Sequence, residues 1–416
     1  MKIIGDFHIH SRFARACSKN LTIPNLALWG KKKGINVLGT GDFTHPEWFK
    51  ELRKELTPAE PGLYRYKAEL SNSTRFLLTS EISNIYKKDG KVHKIHTLVF
   101  APSLEIVEKI NKELSGRGFN IRSDGRPILG QDVKDTAQII WDISPDCVII
   151  PAHTWTPWFS VFGSASGYDS LEECFGDLTP RIFAIETGLS SDPGMNRRVS
   201  KLDHIALISN SDAHSLENLG REANIFDTEL SYAGIMDAIR SNDPKKFLST
   251  IEFFPEHGKY YYDGHRAHNV SLAPQETKKL NDICPVCGKG VTVGVLHRVD
   301  DLADRPEGSM LHGAVPYKSL VPLREIIGQA LGRGVVSKAV QKEYDILLGH
   351  FGNEFSILLH TSLEEIGKIS SPLIAEGVKR VREGKLHIVP GYDGEYGIVQ
   401  IFTDEERKSL AQPKLA

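Results

Sequence analysis

Seven short apolar runs, each delivering a His, Asp or Glu, constrain this chain more than any other feature. The first reads Lys2-Ile3-Ile4-Gly5-Asp6-Phe7-His8-Ile9-His10. Alternate side chains of a strand share one face, so His8 and His10 point the same way. A second run, Ile35 to Leu38, leads through Gly39-Thr40-Gly41 to Asp42 and His45. A third, Arg75 to Ser80, delivers Glu81, and a fourth, Lys94 to Phe100, carries His96. A fifth, Cys147 to Ala152, ends in His153; a sixth, Ile182 to Ile185, ends in Glu186. The seventh, Ile205 to Ser211, ends in Asp212-Ala213-His214.

These runs alternate with helical or loop segments. The stretch Ile23 to Lys33 reads as a helix stopped by Gly34, and Leu104 to about Leu114 as an amphipathic one. That rhythm predicts a parallel sheet or α/β barrel. Barrel enzymes build their sites from strand ends, so ligands scattered in sequence would converge in space. One shared metal site explains the seven endings together, where capping or core packing must explain each separately. A mixed nitrogen and carboxylate set suits a cluster of Zn²⁺, Mn²⁺ or Fe better than a lone Mg²⁺. Such clusters hydrolyse phosphate esters by polarising the phosphoryl oxygen and lowering the pKa of a bound water. No Ser-His-Asp elbow, P-loop or dinucleotide fingerprint competes.

Composition narrows the class. The formal net charge of -2 argues against a non-specific nucleic-acid coat without excluding a local basic groove. No apolar run is long enough to span a membrane, and the N-terminus enters a strand without a signal pattern. The expectation is no membrane partner and an intracellular protein (cytoplasm or nucleoid). The five cysteines, odd in number with one close pair, do not look like a disulfide framework.

Two loops stand out. Thr154 to Ser164 carries Trp155, Trp158, Phe159 and Phe162 beside His153. It is either a lid packed by its own aromatics or a platform for a nucleobase. Gly116 to Pro127 carries Arg117, Arg122 and Arg126, which contact phosphates or line a solvated loop.

Past Phe253-Phe254-Pro255 the pattern changes. Cys284-Pro285-Val286-Cys287-Gly288 is a metal knuckle needing two more ligands, with His265 and His268 the best pair and His297 the alternative. Such a module folds on Zn²⁺ in a structural role. From about Leu311 the chain turns mainly helical. Ser337 is a helix cap, and Thr361-Ser362-Leu363-Glu364 a capping-box pattern. A basic cluster with Lys379, Arg380 and Arg382 precedes Pro390-Gly391-Tyr392-Asp393-Gly394-Glu395-Tyr396-Gly397. The cluster is either a solvated helix face or, with Tyr392, a track for a nucleic-acid backbone. The expected domains are 1–255, a metal-dependent phosphoesterase barrel; 256–310, a zinc-binding module; and 311–416, a helical DNA-binding domain.

The motifs around His8/His10, Asp42/His45, Glu81, His96, His153 and Ser211-Asp212-Ala213-His214 resemble those of the PHP (polymerase and histidinol phosphatase) superfamily. That resemblance implies an α/β fold with a distorted seven-stranded, TIM-like barrel holding two or three metals. Matched by position, His8, His10, Glu81 and Asp212 hold one ion and Glu81, His96 and His153 a second. Asp42 or His45, with His214, holds a third. The second motif departs from the usual Asp-His pair, with Phe43 after Asp42 and His45 displaced, which bears on the third ion. Asp212, His214, Glu81 and His153 are the expected catalytic residues.

The whole order of parts is similar to the endonuclease Q family. That similarity implies a repair nuclease acting on damaged double- or single-stranded DNA. It would nick 5′ to uracil, hypoxanthine, xanthine and abasic sites, with the damaged nucleotide extruded from the duplex. It implies structural zinc, zinc in the barrel, and Mg²⁺ or Mn²⁺ for activity. Expected DNA contacts are Trp155, Trp158, Phe159, Arg117, Lys379, Arg380, Arg382 and Tyr392. A sliding clamp is a further expected partner, although the tail Ser409 to Ala416 carries no aromatic pair of a clamp-binding peptide. The competing readings are a small-molecule phosphatase of the histidinol-phosphatase type and a non-catalytic DNA-binding adaptor with structural metals.

Overall fold

The structure, a computed structural model, describes residues 2–69 and 74–411. Residues 412–416 of the tail, on which the clamp reading turns, lie outside the described residues. The fold is mixed α/β with a helical C-terminal region.

All seven apolar runs form strands. β1 (Lys2–Asp6) pairs in parallel with β2 (Val37–Gly39), and β2 with β3 (Arg75–Lys88). β4 (Lys91–Ala101) then runs antiparallel to β3, and β5 (Val148–Pro151) antiparallel to β4. β6 (Ala184–Glu186) and β7 (Ala206–Ile208) form a parallel ribbon. The uniformly parallel sheet expected from the rhythm is therefore not what forms. The reason is local: Asp89-Gly90, both at positive φ, turn β3 straight back into β4. A two-residue turn makes antiparallel neighbours, whereas a parallel pair needs a long crossover.

On its other side β1 pairs antiparallel with β8 (Ala223–Asp227), which pairs with β9 (Phe247–Glu252); β10 (Tyr317–Ser319) closes that edge. These strands were not read from sequence. β10 also means that the segment expected to open the helical domain adds a strand to the main sheet. Two backbone bonds draw the separate ribbon against the rest at the strand ends. Thr154 N–H donates to Glu186 O (3.1 Å) and His10 N–H to Ala213 O (3.1 Å).

The unbroken apolar character of the runs follows from burial on both faces. Ile3, Val37, Leu77, Leu98, Phe100, Val148, Ile150, Ala184, Ala206 and Ile208 face one inner cluster, capped by the helix Tyr232–Ser241. The alternating partners Leu38, Phe76, Leu78, Val99, Ile149, Ile185 and Leu207 face an outer cluster. In that cluster sit α1 (Ile23–Lys33) and α2 (Pro46–Glu55), through Leu26 and Trp48, and α3 (Leu104–Gly116), through Val107, Ile110 and Leu114. α1 ends as expected, with Gly34 at φ 88° accepting the left-handed turn.

In the C-terminal region α4 (Lys338–Phe351) is capped by Ser337 as read. The cap of Leu363–Ile369 is Ser362 rather than Thr361, because Thr361 Oγ1 donates to Ser356 O instead. The helical region is pinned to α1 by a buried ion pair. Lys33 Nζ lies 2.9 Å from Glu354 Oε2, which also accepts from Tyr344 O–H (2.7 Å), while Leu323 N–H donates to Glu354 Oε1 (3.0 Å). Removing one partner of a buried pair strands the other charge. Lys33→Met is therefore expected to lower stability by about 3–5 kcal/mol in urea unfolding. A loss below about 1 kcal/mol would mean that Glu354 does not depend on the pair.

Candidate metal centre

The β3–β4 hairpin carries its pairing well past the short neighbouring strands, so Glu81 and His96 sit within strands rather than at their ends. Glu81 opposes Leu98, which places His96 on the diagonal of the same face. His96 Nδ1 lies 2.6 Å from Glu81 Oε1. His153 follows β5 and brings Nε2 to 3.0 Å from the same oxygen and 3.3 Å from His96 Nδ1. These three form one donor group.

The other carboxylate oxygen serves a second group of His8, His10, Glu81 and Asp212. Glu81 Oε2 lies 3.5 Å from His8 Nε2 and 3.3 Å from His10 Nε2. Asp212 Oδ1 lies 3.5 and 3.1 Å from the same two nitrogens. Donors about 2.0–2.2 Å from a tetrahedral ion stand about 3.3–3.6 Å from one another, so the spacing fits a metal. His8 Nε2, His10 Nε2 and Asp212 Oδ1 are buried without a hydrogen-bond partner, as ligand atoms awaiting an ion must be.

The reverse sides of the imidazoles are held. His8 Nδ1 lies 3.0 Å from Glu186 Oε2, and His10 Nδ1 lies 2.9 Å from Asp42 Oδ1. Such contacts fix ring orientation and tautomer. Glu186 also accepts from His153 N–H (2.8 Å) and Asn210 Nδ2 (2.9 Å), tying both donor groups together from behind. Gly188 is required here, since a Cβ would stand 2.5 Å from His153 Cβ. Asp6, fully buried, accepts from Ser211 and Gly220 N–H and anchors the Asp212 turn; burial pushes its carboxyl up to about 6. Asp42, His153 and Asp212 all adopt positive φ (50°, 30° and 44°), a conformation a non-glycine residue holds only under constraint.

Among the described residues no third group forms around Asp42, His45 and His214. Asp42 is engaged by His10 and by Ser11 N–H (2.6 Å). His45 caps α2 through Trp48 N–H, approaches Arg122 O with Nε2, and stacks on Phe13. His214 packs edge-on against His10, with Nδ1 2.8 Å from Asp212 O.

A separate group assembles His265, His268, Cys284 and Cys287. The two Nδ1 atoms are 3.2 Å apart, with Sγ to Nδ1 distances of 3.4 and 3.7 Å. That is the spacing of a closed tetrahedral set with two thiolates, which selects zinc-like ions. The alternative, His297, is turned onto Asp263 (2.6 Å) and takes no part.

Several expected DNA contacts have partners within the chain. Trp155 is in the core and donates to Asn196, so this part of its loop is a packed lid. Arg382 donates to three carbonyls, of Ile357, Leu358 and Thr361, closing a helix end. Arg380 is bound to Glu376, Glu406 and Ile401 O, Lys379 reaches Glu376, and Arg117 pairs with Glu113. Tyr392 packs against Gly264 and bridges to Tyr262. Trp158 is partly exposed and edge-on to Tyr260, and Phe159 packs against the donor residue His96. The arginine that does reach the centre is Arg126, with Nη1 3.0 Å from Glu81 Oε2. Both Arg126 and Glu186 stand out in the sequence, one in an arginine-rich loop and the other as an acid at a strand end, but neither is among the expected ligands or DNA contacts; the structure brings both to the donor groups.

The electrostatics follow from this crowding. Burial alone would lower His8 and His10, but Glu186, Asp212 and Glu81 around His8, and Asp42, Asp212 and Glu81 around His10, raise both well above the ordinary histidine value. Burial would likewise raise Glu81 and Asp212. The histidines, joined at Glu81 by Arg126, hold both carboxyls well below their usual range. Burial takes His96 the other way, down to about 4.

The fold and the carboxylate-bridged donor groups define a metal-dependent hydrolase of the phosphoesterase kind. A family profile described as the MJ0043 C-terminal domain matches residues 322–385. The chain is 30% identical to protein YqxK of Bacillus subtilis over 96% of its own length and 99% of that protein. It is 34% identical to protein MJ0043 of Methanocaldococcus jannaschii, a match spanning 58% of this chain but only 31% of that longer protein. The crystal structure of the lesion-specific endonuclease PfuEndoQ from Pyrococcus furiosus superimposes with a TM-score of 0.85, at 33% identity, over 98% of this chain and 99% of that one. A crystal structure of endonuclease Q with a 27-mer duplex carrying an abasic lesion at the active site matches with the same TM-score and identity, over 98% of both chains. The chain belongs to the endonuclease Q family. Among the described residues, no helix is long and apolar enough to cross a membrane.

Two outcomes follow from the shared carboxylate and the raised histidines. Glu81→Ala is expected to remove about two equivalents of bound metal and His96→Ala about one, as measured by elemental analysis of dialysed protein. In metal-free protein His8 and His10 keep their protons above the ordinary histidine pKa, so an ion must displace them. Metal affinity is therefore expected to rise with pH through and above about 6.5, with proton release at pH 7 seen by calorimetry in buffers of different ionisation enthalpy. Affinity that is flat from pH 6 to 8 would contradict the raised histidines.

Proposed function

We propose that this chain is a metal-dependent DNA repair endonuclease that hydrolyses the phosphodiester 5′ to abasic sites and deaminated bases (uracil, hypoxanthine, xanthine). The observation that carries the proposal is the sharing of Glu81 between two donor groups. It occurs in a chain that follows, along 98% of its length, a fold solved with an abasic duplex. Lesion choice and the 5′ side rest on the family resemblance.

In this reading His8, His10, Glu81 and Asp212 hold one ion, and Glu81, His96 and His153 a second. These residues belong to a distorted seven-stranded PHP barrel. Ions held there supply Lewis-acid polarisation of the phosphoryl oxygen and a water of lowered pKa. The chain's own residues do the rest. Glu186 and Asp42 keep the ligating imidazoles in one orientation. His214, with Nδ1–H given to Asp212 O and its pKa lowered by burial, leaves Nε2 as a base for the proton of the attacking water. The His265/His268/Cys284/Cys287 group holds a structural zinc, with no position open for substrate. Trp158 and Phe159 offer aromatic faces to an extruded nucleotide near the mouth. Such an enzyme would act inside the cell.

The test is nicking of an end-labelled duplex carrying one abasic site, deoxyuridine or deoxyinosine, with Mg²⁺ or Mn²⁺, beside an undamaged control. The expected result is a single cut 5′ to the lesion, abolished in Asp212→Asn with the circular-dichroism melt unchanged. Equal cutting of the control, or release of nitrophenol from nitrophenyl phosphate with DNA left intact, would replace this reading with a small-molecule phosphatase.

A further inference from the structure

Arg126 is the one cation of the 117–127 loop that points into the centre, and its surroundings specify how. The loop is fixed on every side. Pro127 O accepts from Ser83 N–H on β3 (3.0 Å), Gly125 N–H donates to Phe13 O (3.2 Å), and Thr44 Oγ1 donates to Gly125 O (3.3 Å). Arg126 N–H itself donates to Asp124 Oδ1 (3.2 Å). At Gly125 a Cβ would stand 2.4 Å from Asp42 Oδ2, so the loop lies hard against the carboxylate that orients His10. The guanidinium is therefore delivered from a rigid mount.

Its side chain is 28% exposed. Among the described residues its one side-chain hydrogen bond is Nη1 to Glu81 Oε2. Oε2 is the oxygen that faces His8 and His10 in the four-residue donor group. A cation bonded to that oxygen competes with an ion for it and repels the ion. Glu81 engages Nη1 alone, so a negative group entering from the mouth can take up the remaining guanidinium donors. A planar fork of donors beside a metal centre matches the non-bridging oxygens of a phosphodiester.

We infer that Arg126 grips a non-bridging oxygen of the scissile phosphodiester, so that substrate and ion bind with mutual support; the inference rests on the nuclease reading above. In the absence of DNA Arg126 weakens ion binding, and in its presence it stabilises the charge that develops on the phosphoryl oxygens. A positioning role, holding Glu81 in place, would give the opposite sign for metal affinity.

The experiment compares wild type, Arg126→Gln and Arg126→Lys. Mn²⁺ affinity is measured by calorimetry on chelator-treated protein without DNA. Single-turnover nicking of an abasic duplex is measured at saturating enzyme and Mn²⁺. In Arg126→Gln the Mn²⁺ affinity is expected to be equal or tighter while the nicking rate falls about 10²-fold, with Arg126→Lys recovering part of the loss. Two results overturn the inference: Mn²⁺ affinity falling in step with the rate, or an Arg126→Gln rate within about threefold of wild type (a change under about 0.7 kcal/mol). Wild-type protein that leaves the duplex intact is a different result. It sinks the nuclease reading, and this role of Arg126 goes with it.

Discussion

The structure depends on one buried carboxylate. Glu81 lies on a long strand inside the fold, where an unpaired charge would be prohibitive. Three histidines, a fourth across the strand and one arginine surround it, so the charge is neutralised several times over. That excess explains the neighbouring architecture. Glu186 and Asp42 stand behind His8 and His10, and Asp212 faces them. An ion held by these residues would take the place of protons that the surrounding carboxylates favour on His8 and His10.

Much of this was legible in the sequence because metal sites at strand ends leave a periodic signature. Apolar runs carrying His, Asp or Glu pointed to the seven strands and to the six residues of the two donor groups, His8, His10, Glu81, His96, His153 and Asp212, with Glu81 in both. The Cys-x-x-Cys knuckle gave its partners because ligand spacing in a small module is set by tight turns. What pattern could not give was direction. Antiparallel pairing of β3 and β4 hangs on Asp89-Gly90, and strands β8 and β9, with mixed polarity and no ligand at their ends, left no mark.

A run of charge does not name its partners. From sequence Arg380 and Arg382 fit either a solvated helix face or a nucleic-acid track; in the structure Arg382 closes a helix end and Arg380 pairs with two glutamates. Trp155, one of four aromatics in its loop, supplies the lid's own core. In both cases a side chain able to serve a ligand serves the fold, and only the partner list distinguishes the two. Arg126 is the converse: one of three loop arginines, singled out by the rigid mount beneath it.

The closure of His10 onto Ala213 has a consequence in time. His8 and His10 leave the ribosome about 200 residues ahead of Asp212, roughly 10–40 s at ordinary rates of synthesis. During that interval His8 and His10 have neither their carboxylate nor the backbone bond that fixes them. An ion held by this four-residue group would therefore be loaded late in biogenesis, and a fragment that stops short of the Asp212 turn lacks one of the four donors.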